Sequence, residues 1–466
     1  MEDTTFITDL ILEAKAKAEA ETSTEPEPGL ARDLEWPIKC TVGPGLEGAI
    51  ACESEVGYVN GTKGWLVYRG YDIFELCAHC TFEEVAYLLV HGDLPNEQEL
   101  KAFKARLLLY SYMPNTLRRM MSFPLEQMHA MAALRLGTNM MRQEFTTRDT
   151  ATARPRADDA ISADEDSIPM ETIPTGEMHA IYEFFRAENL HRSISTVQGE
   201  TYDGSDMESC YHLIAGVSTL CAAIGRIRRG NLPLEPDPEL GHAANFLYML
   251  TGKRPSAVEE RLMDVALILH ADHGMNASTF AAMVVASTLS DVYLSIGSGI
   301  AALAGPLHGG ANEKVMQSLR EIGSAETVAA WYEKQRADKK RVAGFGHRVY
   351  KAYDPRARVL GPLSQCLSEQ SEDTKELFAI AAELERVVID DLGKTKKIFT
   401  NVDFYSGLTF GAMGIPTEMF AAIFAVSRVA GWTARVMEYL KRNRIFRPRA
   451  IYTGEFGRKI VPLEQR

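Results

Sequence analysis

Apolar residues recur at helical spacing along most of this chain, and this periodicity limits the fold more than any other feature. A period of about 3.6 residues places such side chains on one face of an α-helix. No strand-like runs alternate with the helical ones, so a doubly wound α/β sheet is not expected. The sequence therefore predicts an all-α fold. The predicted helical segments are 124–145, 209–228, 240–251, 257–270, 277–303, 311–322, 373–392 and 417–441.

The N-terminal region departs from this pattern in two places. A short β-hairpin is predicted from residues 49–55 and 65–69, with Asn60-Gly61 as its turn. Residues 1–36 hold a brief amphipathic patch and then a stretch rich in proline and glutamate. Such a composition does not build a core, so these residues are expected to form a mobile N-terminal arm.

The composition and charge of the chain argue against nucleic acid and membranes as partners. With 46% hydrophobic residues in 466, the chain can bury a large core, while its net charge of −13 argues against nucleic acid. A small anion in a local basic pocket stays compatible with this charge. The most apolar region, 277–307, is interrupted by Asp291. It therefore predicts two closely packed buried helices rather than a membrane span, and the N-terminus lacks the pattern of a signal peptide.

Seven cysteines are scattered along the chain, which is typical of reduced thiols in a cytoplasmic protein. Cys77 and Cys80 form a C-x-x-C pair within an apolar helical pattern. No second pair follows at the spacing of a zinc ribbon, so core cysteines are favoured over a metal or redox site.

Three short glycine-bearing stretches carry the chemical signal: PLHGG at 306–310, GFGHR at 344–348 and NVDFYSG at 401–407. Together they supply two histidines and one acid. A carboxylate can remove a proton from carbon while neutral donors stabilise the negative charge that develops on oxygen. Arginines that suit a substrate with several carboxylates follow at Arg356, Arg428 and Arg447.

At these motifs the chain resembles the citrate synthase family, with the motif sequences usual for its bacterial members. The shared stretches are HADHGMNAST from His270, GPLHGGANE from Gly305, GFGHRVYKAYDPRA from Gly344, NVDFYSGL from Asn401 and RPRAIYTG from Arg447. The resemblance runs from about Pro37 to the C-terminus. It implies the citrate synthase fold, with a large helical domain over 37–307, a smaller one over 308–410 and a return to the large domain over 411–466.

Residues 146–208 depart from the family pattern and are interpreted as an insertion. Their composition is mostly that of a solvated loop, with one helical stretch at 176–190. An interaction module, a lid and a passive loop all stay open as its role.

The resemblance implies condensation of acetyl-CoA with oxaloacetate to citryl-CoA, followed by hydrolysis to citrate and CoA. Asp403, expected in a loop ahead of a helix, would be the base that removes the methyl proton. His308, expected to be neutral at a helix N-terminus, would donate to the thioester oxygen. His347 would polarise the keto oxygen of oxaloacetate.

The resemblance also implies the binding residues and partners. His273, Arg356, Arg428 and Arg447 match the oxaloacetate and citrate binders, with Arg447 contributed by a neighbouring subunit of a homodimer or larger homo-oligomer. Coenzyme A would contact Gly344, Phe345, Gly346 and Lys351. No metal and no cofactor beyond acetyl-CoA as substrate are expected, and neither nucleic acid nor membrane is an expected partner.

Three alternatives stay open at this point. One is 2-methylcitrate synthase, which uses propionyl-CoA and differs by one methylene, a distinction of about 1–3 kcal/mol in a pocket. Another is a metal-dependent hydrolase built on His270, Asp272, His273 and His308. The third is a non-catalytic paralogue that binds partners through the insertion.

Overall fold

The structure, a computed structural model, describes residues 4–21, 41–142, 205–369, 372–450, 453–454 and 463–465. In this part of the chain helices dominate, which confirms the predicted all-α class. The predicted insertion lies almost wholly outside the described residues. The helices are α1 Thr5–Glu21, α2 Ile73–His79, α3 Phe82–His91, α4 Glu97–Ser111, α5 Pro114–Met120, α6 Ala130–Met140, α7 Ser205–Ile227, α8 His242–Thr251, α9 Ala257–His270, α10 Ala277–Ser287, α11 Val292–Leu303, α12 Ala311–Ile322, α13 Val328–Ala337, α14 Pro355–Ser368, α15 Glu372–Val388, α16 Lys394–Lys396, α17 Val402–Ala412 and α18 Phe420–Leu440.

A three-stranded antiparallel sheet precedes α2. Its strands are β1 Gly57–Asn60, β2 Trp65–Tyr68 and β3 Tyr71–Asp72, in that order. The predicted hairpin is confirmed, but its first strand was placed wrongly at residues 49–55. Pairing of Asn60 with Trp65 fixes the register next to the turn, so the partner of β2 is the segment immediately before it.

Helix α1 corrects the prediction of a mobile arm. Ile7 and Ile11 are fully buried, because the amphipathic patch forms an apolar stripe against α2 and α14. Thr8 Oγ1 donates to the Ala78 carbonyl at 3.1 Å, and Lys15 Nζ lies 2.5 Å from Glu75. The rest of the predicted arm, after Glu21, lies outside the described residues.

The two closely packed helices predicted within 277–307 are observed. Helix α10 ends at Ser287, and Leu289 adopts a left-handed conformation with φ of 64°. Asp291 then caps α11 by accepting a hydrogen bond from the Leu294 N–H at 2.9 Å. The two helices pack directly on each other, so the polar interruption marks a turn between neighbours.

Helix α18 runs through the centre of the core. It packs against α3, α7, α9, α10 and α11, and its residues from Phe420 to Met437 are buried. By length and composition two segments, Met207–Ile227 and Thr417–Leu440, could cross a membrane, but their apolar windows are 83% and 100% buried inside the protein. These are core helices of the described structure.

A second group of helices, α12 to α17, lies between α11 and α18 in the chain. Helix α14 packs on α15 and α17, and α12 also contacts α17. This group overlaps the predicted smaller domain at 308–410, although the domain boundaries themselves stay a prediction.

Candidate active site

The assigned base, Asp403, lies in the first turn of α17. The sequence placed it in a loop, but the helix already begins at Val402, because the Asn401 side chain caps it by accepting from the Asp403 N–H at 3.0 Å. Asp403 Oδ1 is shielded from solvent and has no hydrogen-bond partner among the described residues. Burial raises the pKa of this carboxyl to about 6.

Arg428 is a buried cation with an unused donor. Its Nε donates to the His270 carbonyl at 2.5 Å, and its guanidinium lies 4.8 Å from the centre of the Phe424 ring. Nη2 is buried and has no partner in the described part of the chain. A buried charge left without its partner costs about 3–5 kcal/mol, so this guanidinium is suited to an anionic ligand.

Arg356 is also buried but is already paired. Asp354 caps α14 and binds Arg356 through two parallel bonds, from Nε at 3.0 Å and from Nη2 at 2.7 Å. Burial alone would raise the pKa of Asp354, but the adjacent guanidinium holds it below its ordinary value. Nη1 takes no part in this pair, so Arg356 has a donor group that Asp354 does not use.

His347 has a defined tautomer. Its Nδ1 accepts from the backbone N–H groups of Val349 at 3.0 Å and Tyr350 at 3.1 Å, so the proton of the neutral ring is on Nε2. Burial lowers its pKa to about 4. The ring of His273 lies 5.2 Å away, edge to face, and His273 Nε2 is 3.1 Å from the Tyr350 hydroxyl. Two of the predicted site histidines therefore lie side by side.

The glycine loop connects His347 to the base. Gly344 and Gly346 adopt φ values of 83° and 80°, which favour glycine. The Gly346 N–H donates to the Phe399 carbonyl at 2.8 Å, and the Asn401 N–H donates to the Gly344 carbonyl at 2.9 Å. These bonds place the segment that leads into His347 beside the segment that leads into Asp403.

His308 lies half-buried just before α12 and has the opposite tautomer. Its Nε2 accepts from the Ser278 N–H at 3.3 Å and lies 2.9 Å from the Ser278 hydroxyl, so the proton of the neutral ring is on Nδ1. Burial lowers its pKa to about 4, and the charge of Arg428 acts in the same direction. The environment favours the neutral form that the sequence predicted, and burial is the largest of these causes.

The two buried arginines link these groups electrostatically. The charge of Arg428 acts on both Asp403 and His308, and the charge of Arg356 acts on Asp403 and His347. The two cations also lower the pKa of His273, for which burial is the largest cause. Asp403 and His273 therefore feel the charge of both guanidinium ions, whereas His308 feels that of Arg428 and His347 that of Arg356.

Other predicted residues are not brought together within the chain. Arg447 is exposed and donates to the Pro448 carbonyl at 3.1 Å. Lys351 is exposed, and its backbone N–H donates to the Gly61 carbonyl at 2.8 Å. The expected coenzyme A contacts and the subunit origin of Arg447 stay predictions.

The alternative metal site does not fit its donor residues. Asp272 binds Arg435 through two bonds of 2.7 Å, so its carboxylate is already neutralised. Among the residues that the structure describes, no three His, Cys, Asp or Glu side chains are grouped so that they could hold a metal ion. Cys77 and Cys80 are buried with raised pKa values, which is the environment of core thiols.

Sequence reasoning missed two supporting residues. Asp354 pairs with Arg356, and Ser278 sets the tautomer of His308. Asp354 could have been found, because it stands two residues before Arg356 where a helix cap is expected. No local signal marks Ser278, which lies 30 residues from His308.

The fold and the site together are those of a helical protein in which a buried carboxylate and neutral imidazoles lie near buried cations, an arrangement suited to enzymatic chemistry on an anion. Comparison with known proteins identifies its family. The family profile described as "Citrate synthase, C-terminal domain" matches residues 45–449. The chain belongs to the citrate synthase family, and it is an acyltransferase of the condensing type, as predicted.

Individual relatives agree over nearly the whole chain. Citrate synthase of Acidithiobacillus ferridurans is 38% identical over 430 residues, which cover 91% of this chain and 98% of the relative. Citrate synthase of Synechocystis sp. is 40% identical over 423 residues, with 91% and 93% covered. Since these relatives are named citrate synthases, the 2-methylcitrate alternative is not favoured.

Solved structures give the same result. The crystal structure of citrate synthase from Pyrobaculum aerophilum is 37% identical, with a TM-score of 0.75, and the match covers 93% of this chain and 99% of that one. The ternary complex of the Thermoplasma acidophilum citrate synthase with carboxymethyl coenzyme A and oxaloacetate is 30% identical. Its TM-score is 0.75, with 92% and 100% covered.

Proposed function

We propose that this chain condenses acetyl-CoA with oxaloacetate and hydrolyses the resulting citryl-CoA, using Asp403, His308 and His347 as catalytic residues. One observation supports this most directly. Asp403 Oδ1 is buried, carries no hydrogen bond within the described residues and belongs to a carboxyl whose pKa is raised to about 6. A carboxylate in this state is a stronger base than an ordinary aspartate and is still ionised at neutral pH.

The two histidines would stabilise charge on two different oxygens. His308 presents Nδ1–H, which would donate to the thioester oxygen while Asp403 removes the methyl proton and an enol forms. His347 presents Nε2–H, which would donate to the keto oxygen as the new carbon–carbon bond turns it into an alkoxide. Water would then attack the citryl thioester, giving citrate and the free thiol of CoA.

Oxaloacetate would lie against the buried cations. Arg428 offers an unpaired Nη2, Arg356 offers Nη1, and His273 stands beside His347. Guanidinium groups suit a dicarboxylate because they donate parallel hydrogen bonds to it. The ligands named for the Thermoplasma acidophilum complex support this choice of substrates.

We also infer the surroundings of the reaction. Arg447 would complete the site of a second subunit, so the active unit would be a homodimer or a larger assembly. Lys351 and the loop of Gly344, Phe345 and Gly346 would contact coenzyme A, with no metal or prosthetic group required. The free cysteines of the described chain support a reducing, cytoplasmic location.

Replacement of the base tests the proposal. We expect Asp403→Asn to lower kcat by about 10²-fold or more, because the amide cannot accept the proton. Oxaloacetate binding, measured by calorimetry, should stay close to that of the unmodified protein, since the cations are retained.

The matched control is Asp373→Asn, which removes an exposed acid from the first turn of another helix. Its release of CoA thiol should be unchanged. Near-normal turnover of Asp403→Asn would refute the assignment of the base.

A further inference from the structure

Glu385 gathers three hydroxyl groups although it lies outside the site described above. It belongs to α15, and its Oε1 accepts hydrogen bonds from the hydroxyls of Tyr353 and Thr400, the latter at 2.5 Å. Its Oε2 accepts from the hydroxyl of Tyr405 at 2.5 Å. An ionised carboxylate is an acceptor only, so it can serve all of these donors at once.

Each donor lies within two residues of a group that shapes the site. Tyr353 immediately precedes Asp354, the partner of Arg356. Thr400 immediately precedes Asn401, whose side chain caps α17 at Asp403. Tyr405 lies two residues after Asp403 in the same helix. The carboxylate of Glu385 therefore holds the two segments that carry the assigned base and a substrate-binding cation.

A direct hydrogen bond also joins these two segments, at the residues where α14 and α17 begin. Asp354 Oδ2 accepts from the backbone N–H of Val402 at 3.3 Å while it also binds Arg356. The Asp354 bond and the Glu385 cluster thus fix the start of α17 against the start of α14 at two points. Two such points restrict the rotation of α17, and with it the direction of the Asp403 carboxyl.

Glu385 differs from the neighbouring acid on its helix. Glu383 pairs with Arg386 at the surface, three residues further along α15. By contrast, Thr400 and Tyr405 are 1% and 4% exposed, so their hydroxyls depend on Glu385 in place of water. Burial also keeps Tyr353 and Tyr405 protonated, because it raises their pKa values, and a protonated phenol is the required donor.

We propose that Glu385 is a positioning residue for the condensation, holding the Asp403 carboxyl and the Asp354–Arg356 pair in the relative orientation that proton removal requires. This inference rests on the proposed function, because it takes Asp403 as the base. Glu385 itself is proposed to touch neither the substrate nor a reacting atom.

The test replaces the carboxylate by a neutral group of the same shape. In Glu385→Gln the amide nitrogen cannot accept a hydrogen bond, so at least one hydroxyl loses its partner. We expect kcat to fall between about tenfold and a hundredfold, the effect typical of a misplaced catalytic group. The acid limb of the kcat profile should also move to lower pH as water reaches Asp403, whereas the KM for oxaloacetate should change little.

The matched control is Glu383→Gln, which makes the same chemical change on the same helix and should leave kcat and the pH profile unchanged. Glu385→Asp, which restores the charge, should recover part of the lost kcat. If Glu385→Gln does not fold, as judged by circular dichroism, Tyr405→Phe removes one of the three hydrogen bonds while keeping the ring. It should then show the same loss in kcat and the same direction of the pH shift.

A folded Glu385→Gln, or a folded Tyr405→Phe, whose kcat and pH profile match those of Glu383→Gln would overturn the inference. Asp403→Asn is measured in the same assay to separate the two proposals. An inactive Asp403→Asn beside a normal Glu385→Gln refutes only the positioning role. An active Asp403→Asn refutes the assigned base as well.

Discussion

Burial shifts the pKa values of the three proposed catalytic residues in opposite directions. It acts upward on Asp403 and downward on His308 and His347. Removal from water disfavours the charged form of any group, so it raises the pKa of the acid to about 6 and lowers that of each histidine to about 4. At neutral pH the site therefore holds an ionised base and two uncharged donors. The local histidine hydrogen bonds then decide which ring nitrogen carries each proton.

These pKa values predict the pH dependence of the reaction. The proposed base acts only when ionised, and because its pKa is raised to about 6, activity should be half-maximal near that pH, close to complete about one pH unit above it, and lost as the pH falls through it. The histidines stay neutral down to about pH 4, so they do not contribute over this range. We expect kcat/KM to fall about tenfold per pH unit below the limb.

The measurement follows loss of the thioester absorbance of acetyl-CoA between pH 4.5 and 8, in buffers of constant ionic strength. Activity that stays nearly constant down to pH 4.5, as expected for an unperturbed aspartate with a pKa of about 3.9, would contradict the burial of the base.

At the scale of secondary-structure elements, α1 shows how a short apolar stripe can dock a helix. Ile7 and Ile11 face the core, and polar contacts to Ala78, Glu75 and Arg358 surround them. Since surface ion pairs contribute little, the buried isoleucines account for most of the docking energy. Helix α1 bridges α2 and α14, and α14 carries Arg356, so its loss would also loosen the support of the site.

The stability of this contact can be tested with one pair of variants. Ile11→Ala removes a fully buried side chain, so the free energy of unfolding should fall by about 2–5 kcal/mol. The control Ile50→Ala makes the same change at a residue that is 46% exposed and should have little effect. Urea midpoints and Tm values provide the comparison, and equal values for the two variants would show that α1 is not docked as described.

At the scale of the whole molecule, the proposed assembly would complete the set of substrate-binding arginines. A single chain brings only part of this set to its own site. Arg428 and Arg356 are buried, whereas Arg447 is exposed on the segment that follows α18. Phe446, its neighbour, is anchored against Phe280 with ring centres 5.4 Å apart, which holds this segment on the surface of α10. Such a fixed, outward-facing arginine is compatible with donation to a second copy of the chain.

Complementation between two inactive variants tests that assembly. If Arg447 completes the partner's site, a mixed dimer of Asp403→Asn and Arg447→Met contains one site with both residues intact. Co-refolding equal amounts should therefore restore about a quarter of the normal activity, as expected for random pairing in a two-fold dimer.

The control is a simple mixture of the two folded variants measured at once, before their subunits exchange. If Arg447 acts within its own chain, every site in the mixed dimer lacks one residue. Activity that stays at the level of the separate variants after co-refolding would then exclude the shared site.

The sequence by itself determined the helical class, the family and the identity of the candidate residues. Apolar spacing is a local property of the chain, and it predicted the buried pair α10 and α11 before any coordinates. The motifs around His308, His347 and Asp403 are equally local. They carried the family assignment because their residue sequences and their order along the chain are specific.

Only the tertiary structure decided how those residues are held. The bond from Ser278 to His308 spans 30 residues, that from Arg428 to His270 spans 158, and the hydroxyls on Glu385 come from two segments of the chain. The docking of α1 was mispredicted for the same reason. Contacts between distant segments depend on how whole helices pack, and that information is absent from any short window of sequence.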